Sequence, residues 1–296
     1  MPRAVANGIE IEYEVYGELE DPVVLLINGL GSQMLSWDLD FVQGLVDRGF
    51  CAIRFDNRDV GLSTKIETGF DAGGAVLAAF AGDATEVEAP YHLLDMANDA
   101  VSVLDDLDIE AAHVVGVSMG GMIAQSVAIA HPERVLSLTS IMSTTGDPDV
   151  GQPKPEILGL LIEPSPTERE AYIAHSVEAS RAIGSPELFE EDRYRARAAA
   201  GYDRAFYPAG TPRQLVAVAT SGSRSDALRN LTVPALVIHG DADPLVTLSG
   251  GERTAEVIPG AQLLVLEGMG HDLPSVFWPT IIEHITQLAA RSAVAS

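Results

Sequence analysis

Cysteine is nearly missing from this chain. Its 296 residues include one, Cys51. A single thiol forms no internal disulfide, so the fold owes nothing to oxidation. Cys51 sits in the apolar run Phe50–Phe55, where burial as a small hydrophobe is expected. Basic residues are also scarce: 18 Lys and Arg face 43 Asp and Glu, for a net charge of -25. Such a surface repels polyanions, which excludes nucleic acid as a partner and disfavours strongly anionic substrates. No apolar run reaches the roughly 18 residues of a membrane-spanning helix. The first residues, MPRAVANGIEIEYEVYG, lack the apolar stretch of a secretory signal, so a cytoplasmic location is expected. Paired cysteines and H-x-x-E-H spacing are lacking too, so no metal and no cofactor are expected. Aromatics make up only 6%, which leaves Leu, Val, Ile and Ala to build the core.

What is present is ample for one: 47% of the chain is hydrophobic. Short branched runs at Val23–Ile27, Ala52–Phe55, His113–Val117, Val135–Met142, Ala235–His239 and Leu263–Leu266 read as buried strands. Helical spacing lies between them, over Asp40–Asp47, Leu93–Leu107, Met119–Ala130 and Thr280–Leu288. Alternation of this kind predicts an α/β fold with a mostly parallel sheet covered on both faces. Ile9–Tyr16 alternates apolar and charged residues and reads as an antiparallel pair or an edge strand. From Gly146 to Gly210 no strand pattern occurs; a proline-crowded start gives way to Arg-, Glu- and Ala-rich helical text. The expected organisation is therefore a core of residues 1–145 and 211–296, with a helical cap inserted over 146–210. Gly69–Pro90, rich in Gly and Ala, reads as a mobile loop.

The chemistry is written at Gly116-Val117-Ser118-Met119-Gly120-Gly121, a G-x-S-x-G string with a strand before it and a helix after it. The spacing has a steric reason. Small residues on either side of the serine let strand and helix pass closely through a sharp turn, which lifts the hydroxyl above the sheet. The helix amino end then favours developing negative charge. Serine alone is a weak nucleophile and needs a base, itself oriented by an acid, in the chain order Ser, acid, His. Asp243 and Asp241 follow a late strand; Asp243 is the favoured acid, Asp241 reads as loop-shaping, and Asp147 is a remote competitor. His271 closes Glu267-Gly268-Met269-Gly270-His271, where flexible glycines let the ring reach back over the sheet, and it is the expected base. His92, His113, His131, His175, His239 and His284 read as ordinary core or surface residues. Two backbone donors should hold an oxyanion: the N–H of Met119 and that of Leu30 in the loop Asn28-Gly29-Leu30-Gly31.

These pieces, with Asp56-Asn57-Arg58-Asp59-Val60-Gly61-Leu62-Ser63, resemble the α/β-hydrolase superfamily from Ile9 to about Ala290. Within it the chain looks like bacterial carboxylesterases and polyketide-tailoring esterases of the aclacinomycin methylesterase type, through R-x-D-x-R-D-x-G-x-S, H-V-V-G-x-S-M-G and G-M-G-H. The resemblance implies a sheet of about eight strands, a cap after the sixth, and Ser118, Asp243 and His271 as a triad. Two departures stand out: Asn28 where His is usual, and Asp59 where Gly is common. Arg58 is expected to pair with a carboxylate. A serine at the elbow sets aside the haloalkane dehalogenases and epoxide hydrolases of this fold, which use an aspartate there.

The expected activity is hydrolysis of a small, uncharged carboxylic ester. C–C bond hydrolysis, enol-lactone hydrolysis and cofactor-free perhydrolysis use the same triad and stay open. So does a ligand-binding protein on a hydrolase scaffold, which the complete Ser-Asp-His set disfavours. Trp37 and Trp278 are expected to pack more than to line a pocket.

Overall fold

The computed structural model describes residues 2–6, 8–78, 87–157, 159–160 and 163–295. Its strands are β1 (Arg3–Ala6), β2 (Ile9–Tyr16), β3 (Val23–Ile27), β4 (Cys51–Phe55), β5 (Ala112–Val117), β6 (Val135–Ile141), β7 (Ala235–Gly240) and β8 (Gln262–Leu266). They form one sheet in the order β1-β2-β4-β3-β5-β6-β7-β8. β2 runs antiparallel to β1 and β4, and all later pairings are parallel.

Every residue of β3 and β4 is buried, as mostly apolar runs covered on both faces should be, and the one charge among them, Arg54, is paired with Glu14. Pleating sends alternate side chains to opposite layers. Leu25 and Ile27 join the core under α3 (Leu93–Asp106) and α4 (Met119–Ala130). Val24 and Leu26 join the core under α1 (Leu39–Val46) and the C-terminal helix (Trp278–Ala295).

β3 pairs with β4 on one side and β5 on the other, so the chain reverses its winding between β3 and β5. In open α/β sheets the crevice at such a point, beyond the carboxyl ends of the strands, is where ligands bind. Ile27 and Gly116 are register partners there, which sets the Asn28–Gly31 loop beside Ser118.

Two features differ from the sequence expectation. β1 was not anticipated; it pairs Ala6 with Ile9 through a two-residue turn in which Gly8 takes φ 82°. The segment 69–90 carries a short helix, α2 (Ala72–Ala78), while residues 79–86 of the expected loop lie outside the described residues. Between β6 and β7 come α5 (Arg169–Ile183), α6 (Glu191–Ala205), α7 (Gly210–Thr220) and the single turn α8 (Ser225–Leu228). A helical insertion follows the sixth strand as expected; α5 and α6 fall within 146–210 and pack on each other, and α7 packs on α2. α9 (Leu248–Val257) and the C-terminal helix, α10, complete the layers. Among the described residues no helix is long and apolar enough to cross a membrane.

Candidate active site

Ser118 stands between β5 and α4 with φ 56° and ψ -122°, a conformation that costs a non-glycine residue energy. Its neighbours explain how the turn closes. A Cβ on Gly116 would lie 2.0 Å from the Gly120 carbonyl oxygen, and one on Gly120 would lie 2.2 Å from that of Ile27. Strand, elbow and helix therefore touch backbone to backbone, and only glycine fits at either position. Ser143 steadies the turn by donating its hydroxyl to the Ser118 carbonyl at 2.8 Å.

The three residues expected to act together do meet. His271 Nε2 lies 2.9 Å from Ser118 Oγ, and His271 Nδ1 lies 2.7 Å from Asp243 Oδ2. The other Asp243 oxygen accepts the N–H groups of Leu245 and Val246, each at 2.9 Å. With its carboxylate clasped on both sides, Asp243 accepts a hydrogen bond from the Nδ1–H of the ring and leaves Nε2 as an acceptor facing the hydroxyl. An imidazole so placed is able to draw the serine proton while a carbonyl is attacked.

Leu30 and Met119 line one cavity with Ser118. Neither backbone N–H has an acceptor among the described residues. For Met119 the reason is its place at the first position of α4, where helical N–H groups lack a partner. Two free donors beside the serine are able to hold an oxyanion.

The cavity holds about 260 Å³, below the roughly 300–1,000 Å³ of clefts for drug-sized ligands. Met122, Leu215, Val218, Leu245 and Val246 give it apolar walls; Thr144, Asp147 and Arg224 bring polar groups. Among the described residues no group of three His, Cys, Asp or Glu side chains converges as metal ligands.

The remaining candidates have structural duties. Asp241 accepts the Gly268 N–H at 2.7 Å, shaping the loop as expected. Asp147 does not touch His271. Burial opposes its ionisation, but hydrogen bonds from Ser223, Ser225, Arg253 and Thr145 outweigh that and hold its carboxyl far below the ordinary range. Arg58 clasps Asp99 through two bonds of 2.6 and 2.7 Å. Asp59 sits at φ 71°, which accounts for glycine being common there. Its carboxylate takes a two-pronged grip from Arg213 and the Tyr91 hydroxyl. Buried Asn28 braces its loop by donating to the Phe55 carbonyl at 2.8 Å. Trp37 packs against Phe41, and Trp278 donates to the Leu273 carbonyl.

Two supports had no sequence forecast. His239, wholly buried on β7, points Nε2 at the Val246 carbonyl at 2.7 Å. A carbonyl only accepts, so the proton sits on Nε2, and burial keeps the ring neutral by lowering its pKa. Val246 thus donates to Asp243 and accepts from His239, which pins the acid loop to the sheet. The second support comes from the cap. Ser185, just after α5, accepts the Gly270 N–H at 2.8 Å and donates to Asp272 at 2.5 Å, while the His271 N–H donates to the Ile183 carbonyl at 2.7 Å. His271 is therefore clamped from the cap as well as from below.

Comparison with known proteins agrees with this architecture. Residues 22–275 match the family model described as the alpha/beta hydrolase fold. The chain is 31% identical to rhodomycin D methylesterase of Streptomyces peucetius over 299 residues, covering 93% of each. It is 35% identical to 2-hydroxymuconate semialdehyde hydrolase of Pseudomonas sp. strain CF600 over 207 residues, covering 69% of this chain and 68% of the relative. In three dimensions it is similar to the enol-lactonase from Burkholderia xenovorans LB400, with a TM-score of 0.74 and 21% identity, covering 98% of this chain and all of the other.

Proposed function

The chain belongs to the alpha/beta hydrolase fold family, and from that premise we propose that it is a serine carboxylesterase. One observation carries the reading: Ser118, His271 and Asp243 stand in line at 2.9 and 2.7 Å, beside two unpartnered backbone donors over the same cavity. Ser118 Oγ attacks the ester carbonyl as His271 Nε2 takes its proton. The N–H groups of Leu30 and Met119 hold the oxyanion, each worth on the order of 10²–10³ in turnover. The tetrahedral adduct collapses, His271 gives its proton to the leaving alcohol, and an acyl-enzyme remains on Ser118. Water, deprotonated by His271, adds to the acyl carbon; collapse releases the carboxylic acid and returns the proton to Ser118. Asp243 holds the ring tautomer and stabilises the imidazolium. No cofactor enters. The segment 146–210 acts as a lid that selects a small-molecule substrate in the cytoplasm.

Ester hydrolysis is preferred because the methylesterase relative matches over nearly the whole chain, whereas the match to the semialdehyde hydrolase covers about two thirds. That second relative supports C–C bond hydrolysis as the alternative. Steady-state assays with p-nitrophenyl acetate, butyrate and hexanoate separate the two. The esterase reading expects turnover of at least one, abolished in Ser118→Ala. Negligible turnover of all three, alongside cleavage of a 2-hydroxy-6-oxo-dienoate, would transfer the assignment to the C–C reaction.

A further inference from the structure

Buried guanidinium groups in this protein hold carboxylates. Arg54 pairs with Glu14, Arg58 with Asp99 and Arg213 with Asp59. Arg224 breaks the pattern. It is only 8% exposed, it lines the cavity that contains Ser118, and its one charged neighbour there, Asp147, acts on it through space without a hydrogen bond. Its protein partners are neutral acceptors: Gln125 Oε1 at 3.0 Å, the Thr144 carbonyl at 2.9 Å and the Gly222 carbonyl at 3.4 Å. Of five guanidinium N–H groups, one on each terminal nitrogen is left without a protein acceptor. A buried charge is costly unless it is paired. Burial lowers the Arg224 pKa to about 10, so the group still carries its charge at neutral pH.

Asp147, the other ionisable group of the cavity, is engaged elsewhere: Ser223, Ser225 and Arg253 take up its oxygens. The cation thus lines the cavity with unspent donors, and the hydrogen bonds of the nearby anion go to other partners.

Ser118 and Arg224 line the same cavity, and Met122 of α4, also in its wall, lies between the nucleophile and Gln125, the residue that holds the guanidinium.

We infer that Arg224 is a substrate-anchoring residue, and that the preferred ester carries a carboxylate at the end remote from the bond that is cut. Monoesters of medium-chain dicarboxylic acids have this form. The inference rests on the esterase reading and narrows it. The net charge of -25 argues against a polyanion approaching from solvent, but one guanidinium lines the cavity, and a single carboxylate is what its fork fits. The expectation of an uncharged substrate gives way to a mono-anionic one.

The test compares monomethyl adipate with methyl hexanoate, which differ mainly in the terminal carboxylate. In the unmodified protein kcat/KM should favour monomethyl adipate by about tenfold or more, the scale of a hydrogen bond to a charged group. Arg224→Gln should cut that ratio by on the order of tenfold to a hundredfold, chiefly through KM, and Arg224→Lys should fall between the two. A ratio at or below one in the unmodified protein, or an unchanged ratio in folded Arg224→Gln, would make Arg224 only a brace between loops. Binding supplies a second arm, read by thermal shift with adipate and with hexanamide, a neutral six-carbon control, on the unmodified protein. Stabilisation by adipate and not by hexanamide supports the subsite even if Arg224→Gln fails to fold, and equal responses overturn it. If neither ester is turned over while adipate still binds, the esterase reading fails and the anchoring site stands.

Discussion

The clamp between the cap and His271 gives a sharp prediction through Asp272→Asn. Asp272 is 7% exposed and accepts three hydrogen bonds: the Ser185 N–H at 3.0 Å, the Ser185 hydroxyl at 2.5 Å and the Tyr194 hydroxyl at 3.2 Å. Ser185 in turn accepts from Gly270, the residue before His271. The substitution keeps the shape of the side chain but removes its charge. Charge-assisted bonds contribute about 1.5–3 kcal/mol each and neutral ones about 0.5–1.5 kcal/mol. The amide can keep its oxygen on Ser185 while Tyr194 turns to accept from its nitrogen. The net cost should then be about 1–3 kcal/mol, with Tm falling by about 2–4 °C for each kcal/mol. The consequence for rate is separate. A Cβ on Gly270 would come within 2.3 Å of the Gly184 carbonyl carbon, so the loops lie backbone on backbone and any loosening reaches the imidazole. Misplacement by about 1 Å costs on the order of 10²-fold in rate, so kcat should drop tenfold to a hundredfold. Thermal unfolding and steady-state kinetics on a p-nitrophenyl ester measure both. Arg169→Gln, which removes an exposed pair with Asp203, is the control and should leave Tm essentially unchanged. If Asp272→Asn lowers Tm while kcat stays within about twofold, the clamp supports the fold and does not position His271.

Asp243→Asn should leave the fold intact and lower kcat by about 10⁴, because an amide in place of the carboxylate favours the wrong imidazole tautomer; a loss of less than tenfold would contradict its role. Acid should destabilise the protein through His113, whose burial holds its pKa down to about 4 from 6.5. The folded state keeps this ring neutral while the unfolded chain protonates it. Its stabilising contribution is therefore complete above pH 6.5 and lost as the pH falls to about 4, some 3 kcal/mol at about 1.36 kcal/mol per unit. Denaturant titrations of His113→Gln between pH 7 and pH 4 should show a shallower loss than the unmodified protein, and parallel curves would refute the assignment.

Much of the fold was legible because buried strands in a parallel sheet are mostly apolar and announce themselves. Val23–Ile27 is strand β3 residue for residue, and Leu93 opens α3 as its spacing predicts. The elbow was legible because its glycines answer a local steric demand. β1 escaped because four residues, two of them alanine, carry little pattern and depend on pairing with β2. The supports around the site escaped for another reason. Ser185 and Asp272 lie 87 positions apart, and no local signal marks either until the cap folds down. Arg224, set among Ser, Gly and Asp, carries no local signal, and only the folded chain brings it to Gln125 and the Thr144 carbonyl. His239 looked ordinary because a histidine on a buried strand usually is; its contact with Val246 gives it a place behind Asp243.

The central claim is that Ser118 is a nucleophile activated by His271. Intact-mass spectrometry after incubation with a fluorophosphonate probe tests it most directly, followed by peptide mapping of the adduct. The account predicts one probe per chain, attached at Ser118, with labelling lost in Ser118→Ala and greatly slowed in His271→Ala while both variants keep the circular dichroism of the unmodified protein. A folded, unmodified protein that takes up no probe, or takes it up at another residue, would contradict it.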